Sequence, residues 1–262
     1  MKERLKEIKR MKEVKRQAKP KKLFHWVLLG IVCLIGVYML LRSDLFLIKN
    51  VEVFNNERVS TAAVESLGDI EIGTNIFKLD REMTAKKIEL HQLIKHAQVK
   101  RKLPSTIQVV VEERQPWAQL MVRDHCILID DAGVYMEEEN HLLDDPDLLL
   151  ITLDDAYSEP LNFGQPVCPE AAQMIKRVYD ALTPEFCREE ISEYLYLTEE
   201  KSLVIYTMAG TEVRFGDLDR LELKISYMQE IQKKEKETEA TGQNGLMYVD
   251  MRFEGMPSIR DL

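Results

Sequence analysis

Leu23-Phe-His-Trp-Val-Leu-Leu-Gly-Ile-Val-Cys-Leu-Ile-Gly-Val-Tyr-Met-Leu-Leu41 is the stretch around which the rest of this 262-residue chain is organised. Nineteen positions pass without an Asp, Glu, Lys or Arg. As a helix at about 1.5 Å per residue the run spans about 29 Å, the thickness of a bilayer's hydrocarbon core. Trp26 and Tyr38 stand near its two ends, where aromatic rings favour the headgroup region. A cleaved signal peptide would have a shorter apolar core and a small-x-small site after it. This run is longer and finishes Tyr38-Met-Leu-Leu-Arg42, so it reads as an uncleaved anchor.

Charge is divided unevenly on either side of the run. Eleven basic residues against three acids give residues 1–22 a charge of +8. The remaining 25 basic and 42 acidic residues give the rest −17, a split hidden in the overall −9. The positive-inside bias places residues 1–22 in the cytoplasm and everything after Ser43 outside. Leu5, Ile8, Met11 and Val14 recur every three residues, a stripe that drifts around a helix of 3.6-residue period. Of two readings of the tail, a docking helix for a cytoplasmic partner or a mobile basic segment attracted to anionic inner-leaflet lipid, the drifting stripe favours the second. An acidic outer part argues against nucleic-acid binding.

The first outer segment, 46–116, reads β-α-α-β-β. Ile48 to Phe54 has strand composition and Asn55-Asn56 is a turn signal. Ser60 is an N-cap for a helix Thr61 to Leu67. Asp80 caps a second, Arg81 to Gln92, whose Met83, Leu90, Leu93 and Ile94 are placed to face a sheet. Ala97 to Lys102, a Leu103-Pro104-Ser105 turn, and Thr106 to Glu113 complete the unit, with Ile107, Val109 and Val111 on one face.

The second outer segment, 117–262, is a mixed β unit with two helices. Ala118–Val122 and His125–Asp130 read as paired strands, with Asp131-Ala-Gly133 as a turn. Leu148–Leu153 is a short buried run and Glu170–Leu182 a helix, followed by Pro184. Ile191–Leu197, Leu203–Tyr206 and Thr211–Phe215 form a meander. Asp217 caps a long helix, Leu218 to Lys234, then Glu235 to Gly245 is a polar loop and Met247 to Phe253 a last strand at a sheet edge.

No sequence pattern for catalysis, a cofactor or a metal is present: no His-Glu-x-x-His, Cys-x-x-Cys, Gly-x-Ser-x-Gly or phosphate-binding glycine loop. Asp124-His125-Cys126 fails as a catalytic group because strand neighbours point to opposite faces. His91 and His96 are five apart, not three or four. The acidic runs Asp130-Asp131, Glu137-Glu138-Glu139 and Asp144-Asp145 lack a calcium-loop pattern and read as solvated turns. Cys33, Cys126, Cys168 and Cys187 are too few and too scattered for a disulfide framework. A binding surface is what remains.

Several segments in order resemble the FtsQ/DivIB cell-division proteins. They are Phe46-Leu-Ile-Lys-Asn-Val-Glu-Val, Asn56 with Val59-Ser60, Gly73-Thr-Asn-Ile-Phe77, Val99-Lys-Arg-Lys-Leu-Pro104-Ser-Thr-Ile107, and Val111-Glu-Glu-Arg114-Gln-Pro116-Trp-Ala118. Further on, Phe215-Gly-Asp217 and Tyr248-Val-Asp250-Met-Arg252-Phe253 match less specifically. The resemblance implies an α+β chain: one transmembrane helix (23–41), an FtsQ-type POTRA domain (46–116) and the family's β domain (117–262).

It also implies a non-catalytic scaffold at the division septum. That scaffold would link FtsL-like and FtsB/DivIC-like bitopic partners and help recruit or regulate the septal peptidoglycan synthase FtsW–FtsI. The C-terminal face of the β domain would take a partner by strand addition, with Tyr248, Asp250, Arg252 and Phe253 as the contact residues and Phe253 the aromatic anchor. The nearest alternative is another anchored single-POTRA protein of secretion or envelope assembly; a wall-modifying enzyme with an unrecognised site is the third class. Trp117 follows Pro116 without a Gly/Ser linker, which predicts limited hinge freedom.

Overall fold

The computed structural model describes residues 2–182, 189–241, 246–253 and 257–261. Pro184, Cys187 and Gly245 lie outside the described residues. The chain divides into two compact units, one holding most of residues 1–111 and the other residues 112–262 together with 57–59 and 88–96.

In the first unit, α1 (Lys2–Leu41) is one continuous helix that takes in both the basic tail and the apolar run. Within it, Phe24–Leu41 has a mean hydropathy of 2.3 with none of the stretch buried, and is long and apolar enough to cross a membrane. A 3-10 turn, Asp44–Phe46, leads into β1 (Asn50–Phe54), α2 (Thr61–Leu67) and α3 (Arg81–Glu89), then β2 (Ile94–Lys102) and β3 (Thr106–Glu113). The predicted β-α-α-β-β order holds. The Ser60 hydroxyl accepts from the Ala63 N–H as a helix cap should. β3 lies in the middle of the three strands, parallel to β1, and buries Ile107, Val109 and Val111.

The second helix is shorter than expected, and its inward face is different. Thr84 and Ile88 are buried, while Met83 and Leu90 are exposed. The helix ends at Glu89, so Leu90 falls in the following turn and Leu93 and Ile94 reach the core from there and from the strand.

Among the described residues the second unit carries nine strands and two helices: β4 (Ala118–Val122), β5 (His125–Ile129), β6 (Tyr135–Glu139), β7 (Leu149–Leu153), α4 (Pro169–Ala181), β8 (Ile191–Leu197), β9 (Ser202–Thr207), β10 (Glu212–Gly216), α5 (Leu221–Thr241), β11 (Leu246–Asp250) and β12 (Ser258–Asp261). They form one sheet in the order β12-β11-β10-β9-β8-β7-β4-β5-β6. Parallel neighbours need a crossover. Accordingly α4 links the parallel pair β7 and β8, and α5 links β10 and β11.

Both helices cover the same sheet face. Tyr194, Tyr196, Leu203, Ile205, Val213, Phe215 and Val249 pack there against Ile175 and Val178 of α4 and Ile225, Met228 and Ile231 of α5. At roughly 25 cal/mol per Å² of apolar area removed from water, this core is the main source of the unit's stability.

Several expectations need correction. α5 starts at Leu221 and runs to Thr241, so Glu235 to Thr241 is helix, not loop. Glu235 is buried there because its carboxylate accepts from the Thr207 hydroxyl at 2.7 Å and also from the Thr211 hydroxyl. Asp217 does not begin the helix; it forms a turn with the Asp219 N–H and holds Lys224 Nζ at 3.0 Å. Glu137, Glu138 and Glu139 lie on strand β6, not on a turn. Asp130 is buried, not solvated. Finally, β11 ends at Asp250 and is not the sheet edge, because β12 pairs with it antiparallel.

Candidate partner-binding surface

One face of the sheet is covered by helices; across strands β8 to β11 the opposite face bears Leu195, Leu197, Tyr206, Glu212, Arg214 and Tyr248, all partly exposed. Strand alternation explains the split, since each of these residues lies beside a core residue in sequence. A hollow of about 320 Å³ opens on this face, with Tyr206, Arg214, Glu200 and Arg252 among its walls.

Of the four predicted site residues Arg252 lines this hollow, and the others connect to it through Arg252. Tyr248 and Asp250 are two apart on β11 and share a face. The Tyr248 hydroxyl donates to Asp250 Oδ2 at 2.8 Å. Arg252 donates to the same carboxylate through its backbone N–H (3.0 Å), Nε (3.1 Å to Oδ1) and Nη2 (2.9 Å to Oδ2), a charge-assisted fork. Phe253 joins through Arg252, whose guanidinium lies 5.6 Å from the ring centroid. The Phe253 carbonyl accepts from Arg220 Nη2 at 3.0 Å, while its ring is 70% exposed. Val249 and Met251 point into the core.

Sequence reasoning missed the residues that complete the network. The Arg214 guanidinium covers the Tyr248 ring at 4.9 Å and pairs with Glu212 at 3.0 Å, and Arg252 also approaches Glu200 at 3.7 Å. The alternation Glu212-Val-Arg214-Phe on β10 carried that signal, but only the parallel pairing Glu212↔Tyr248 and Arg214↔Asp250 shows what it meets. Gly216 is the other missing part. Its φ is +76°, and a Cβ there would stand 2.9 Å from Arg252 Cγ, so glycine lets Arg252 lie across the end of β10.

This geometry fixes the charge state of Asp250. The Arg252 hydrogen bonds, opposed by burial and aided by the Tyr248 hydroxyl, hold its carboxyl at about 2, against an ordinary value near 3.8. A depressed carboxyl stabilises the folded state above its unfolded value, and the contribution is lost as pH falls through the folded value. The carboxylate should therefore add about 2 kcal/mol above pH ~4, vanishing between pH ~4 and ~2. Acid titration of folding in the Asp250→Asn variant should lack that loss; an unchanged acid profile would contradict the network. Burial, then the bond to Asp250, pushes the Tyr248 hydroxyl up, so it stays a neutral donor at physiological pH.

The other side chains weighed earlier lie elsewhere. His125 Nδ1 is 2.7 Å from Glu138 Oε1 on the neighbouring strand, and His96 pairs with Glu89 at 2.6 Å. Cys126 is buried, and burial raises its thiol pKa. Among the described residues, Cys33, Cys126 and Cys168 are free thiols, and no group of three or more His, Cys, Asp or Glu is placed to hold a metal ion.

Residues 46–114 match the family model of the FtsQ-type POTRA domain, and residues 120–252 match that of the C-terminal region of the cell division proteins FtsQ/DivIB. The chain belongs to the FtsQ/DivIB family.

Among its relatives, cell division protein FtsQ of Syntrophotalea carbinolica is 29% identical over 210 residues, covering 78% of this chain and 71% of that one. Cell division protein DivIB of Bacillus subtilis is 28% identical over 195 residues, covering 72% and 68%. DivIB of Clostridium botulinum strain Hall is 24% identical over 223 residues, covering 84% of each. A solved extracytoplasmic domain of DivIB from Geobacillus stearothermophilus aligns with 44% of this chain and 88% of its own length at 16% identity, with a TM-score of 0.30, too low to bear on the fold. As an FtsQ/DivIB protein, this chain has a role in cell division. The second family model ends at Arg252, so the matched region includes the Tyr248–Asp250–Arg252 network.

Proposed function

We propose that this FtsQ/DivIB protein is a non-catalytic bitopic scaffold of the division machinery, with its basic tail in the cytoplasm and both folded units outside. The +8 charge before the anchor against −17 after it supports that orientation. Its partners are FtsL-like and FtsB/DivIC-like bitopic proteins, and through them it helps recruit or regulate the septal synthase FtsW–FtsI. The docking surface is the C-terminal end of the nine-stranded sheet: Tyr248, Asp250, Arg252 and Phe253.

The observation that carries this reading is an exposed aromatic ring beside a carboxylate whose hydrogen-bonding capacity is filled from within. Asp250 is fully engaged by Tyr248 and Arg252, so the cluster is rigid before any partner arrives. Rigid aromatic and arginine groups are the usual anchors of interfaces because little entropy is lost on docking. Strand addition moves from β11, where it was expected, to β12, whose outer side has no strand neighbour among the described residues.

A fluorescent fusion at the N-terminus, imaged while the native copy is depleted, tests the function. A band at the division site, with filamentous cells on depletion, is expected. A uniform membrane signal with normal division would contradict the scaffold reading and favour a secretion or envelope-assembly role.

A further inference from the structure

The membrane-proximal end of the first unit carries exposed apolar side chains where the chain leaves the anchor. Leu45 is 51% exposed, Ile72 60%, Phe77 40% and Leu103 56%. Singly, such residues are ordinary on a protein surface. Here three separate segments bring them to one end of the sheet. The loop 71–77 runs beside 46–48: the Gly73 N–H donates to the Ile48 carbonyl at 2.8 Å, the Ile48 N–H to Thr74 at 2.9 Å and the Ile76 N–H to Phe46 at 2.8 Å. The Phe46 and Phe77 rings meet at 5.1 Å. The turn after Leu103 is tied in where the Lys49 N–H donates to the Ser105 carbonyl at 2.8 Å.

The same end is bound to the anchor itself. Asn75 Nδ2 donates to the carbonyl of Leu41, the last residue of α1, at 2.8 Å. That bond places the loop carrying Ile72 and Phe77 at the point where the helix stops, and Leu45 follows only four residues later. The headgroup layer adds roughly 5–7 Å beyond the hydrocarbon core on each side. Aromatic and long apolar side chains at that depth are favourable, and lysines there can keep their charge in water while their stems lie along lipid. Arg42, Lys49, Lys78 and Lys102 are exposed around this end, against the exposed acids Asp44 and Glu71.

We infer that Leu45, Ile72, Phe77 and Leu103 form a lipid-facing rim that seats the first unit on the outer leaflet of the membrane the chain spans. The rim rests on the reading of Phe24–Leu41 as a membrane-crossing helix. It gives that unit a second attachment beside the helix, so its tilt relative to the bilayer is set by lipid contact and not by the short connection alone.

The test uses the full chain reconstituted in vesicles containing lipids brominated near the headgroup end of the acyl chains. Trp26 is replaced by Phe, and a new reporter is introduced as Phe77→Trp or, separately, Ile72→Trp; Trp117 stays as background. Both reporters should emit blue-shifted and lose most of their added fluorescence to the brominated lipid. Water-like emission without quenching from both, while Trp26 in the unsubstituted chain is quenched by bromines placed along the acyl chain, would overturn the rim and leave the anchor standing. Failure of any tryptophan, Trp26 included, to be quenched would overturn the anchor and the rim together.

Discussion

Replacing Asp130 by alanine is expected to destabilise the second unit by about 3–5 kcal/mol, the largest stability change foreseen for a single substitution here. The carboxylate is buried, accepts the Ala132 and Val134 N–H groups at 2.9 Å each, and pairs with Arg114 Nη1 at 2.5 Å. Alanine would leave two turn N–H groups without their acceptor and an arginine, itself 16% exposed, without its counter-ion. Asp130→Asn keeps an acceptor of the same shape and should cost less. Urea unfolding of the full chain in detergent, followed through Trp117, checks this. Trp117 is well placed because its backbone N–H donates to the Ile129 carbonyl at 2.8 Å, next to the substituted residue. A loss below about 1 kcal/mol for alanine would show that water readily replaces the carboxylate, contrary to its burial.

Phe253→Ala should have the opposite profile: an almost unchanged fold and a large loss of partner affinity. Phe253 is 70% exposed, and among the described residues its ring meets the Arg252 guanidinium, so removal should change stability by no more than about 0.5 kcal/mol. As the aromatic anchor of an interface it should contribute about 2 kcal/mol, a roughly thirtyfold rise in Kd for an FtsB/DivIC-type partner. Asp250→Ala should weaken binding too, but with a stability loss, because it releases both Arg252 and Tyr248. The pair of variants thus separates contact from positioning. If Phe253→Ala binds as the parent does while Asp250→Ala does not, the anchor is misassigned and the network itself is the contact.

Apart from the end and inward face of α3, the first unit was legible in the sequence because its signals are local. Asn55-Asn56, the Ser60 cap, the Leu103-Pro104-Ser105 turn and the alternation through Thr106–Glu113 each depend on neighbours within a few residues. The errors in the second unit come from long-range pairing. Ser258–Asp261 is short and polar, so nothing in it announced a strand, and without it β11 was taken for the edge. Glu235 looked like the start of a polar loop, but it turns inward to a threonine pair 24 and 28 residues upstream. Asp130 belonged to an acidic pair that read as solvated until Arg114, sixteen residues away, came into contact with it. For the site, the four residues came from family likeness; the partners that hold them, Arg214, Glu212 and Gly216, came from strand register.

Hydrogen exchange of the full chain, with and without an FtsB/DivIC-type partner, tests the central claim most directly. The account predicts new protection concentrated at Ser258–Asp261 and at Arg252-Phe253, where the sheet ends and the aromatic anchor projects. Protection confined to the first unit, or to the far edge at Tyr135–Glu139, would contradict it.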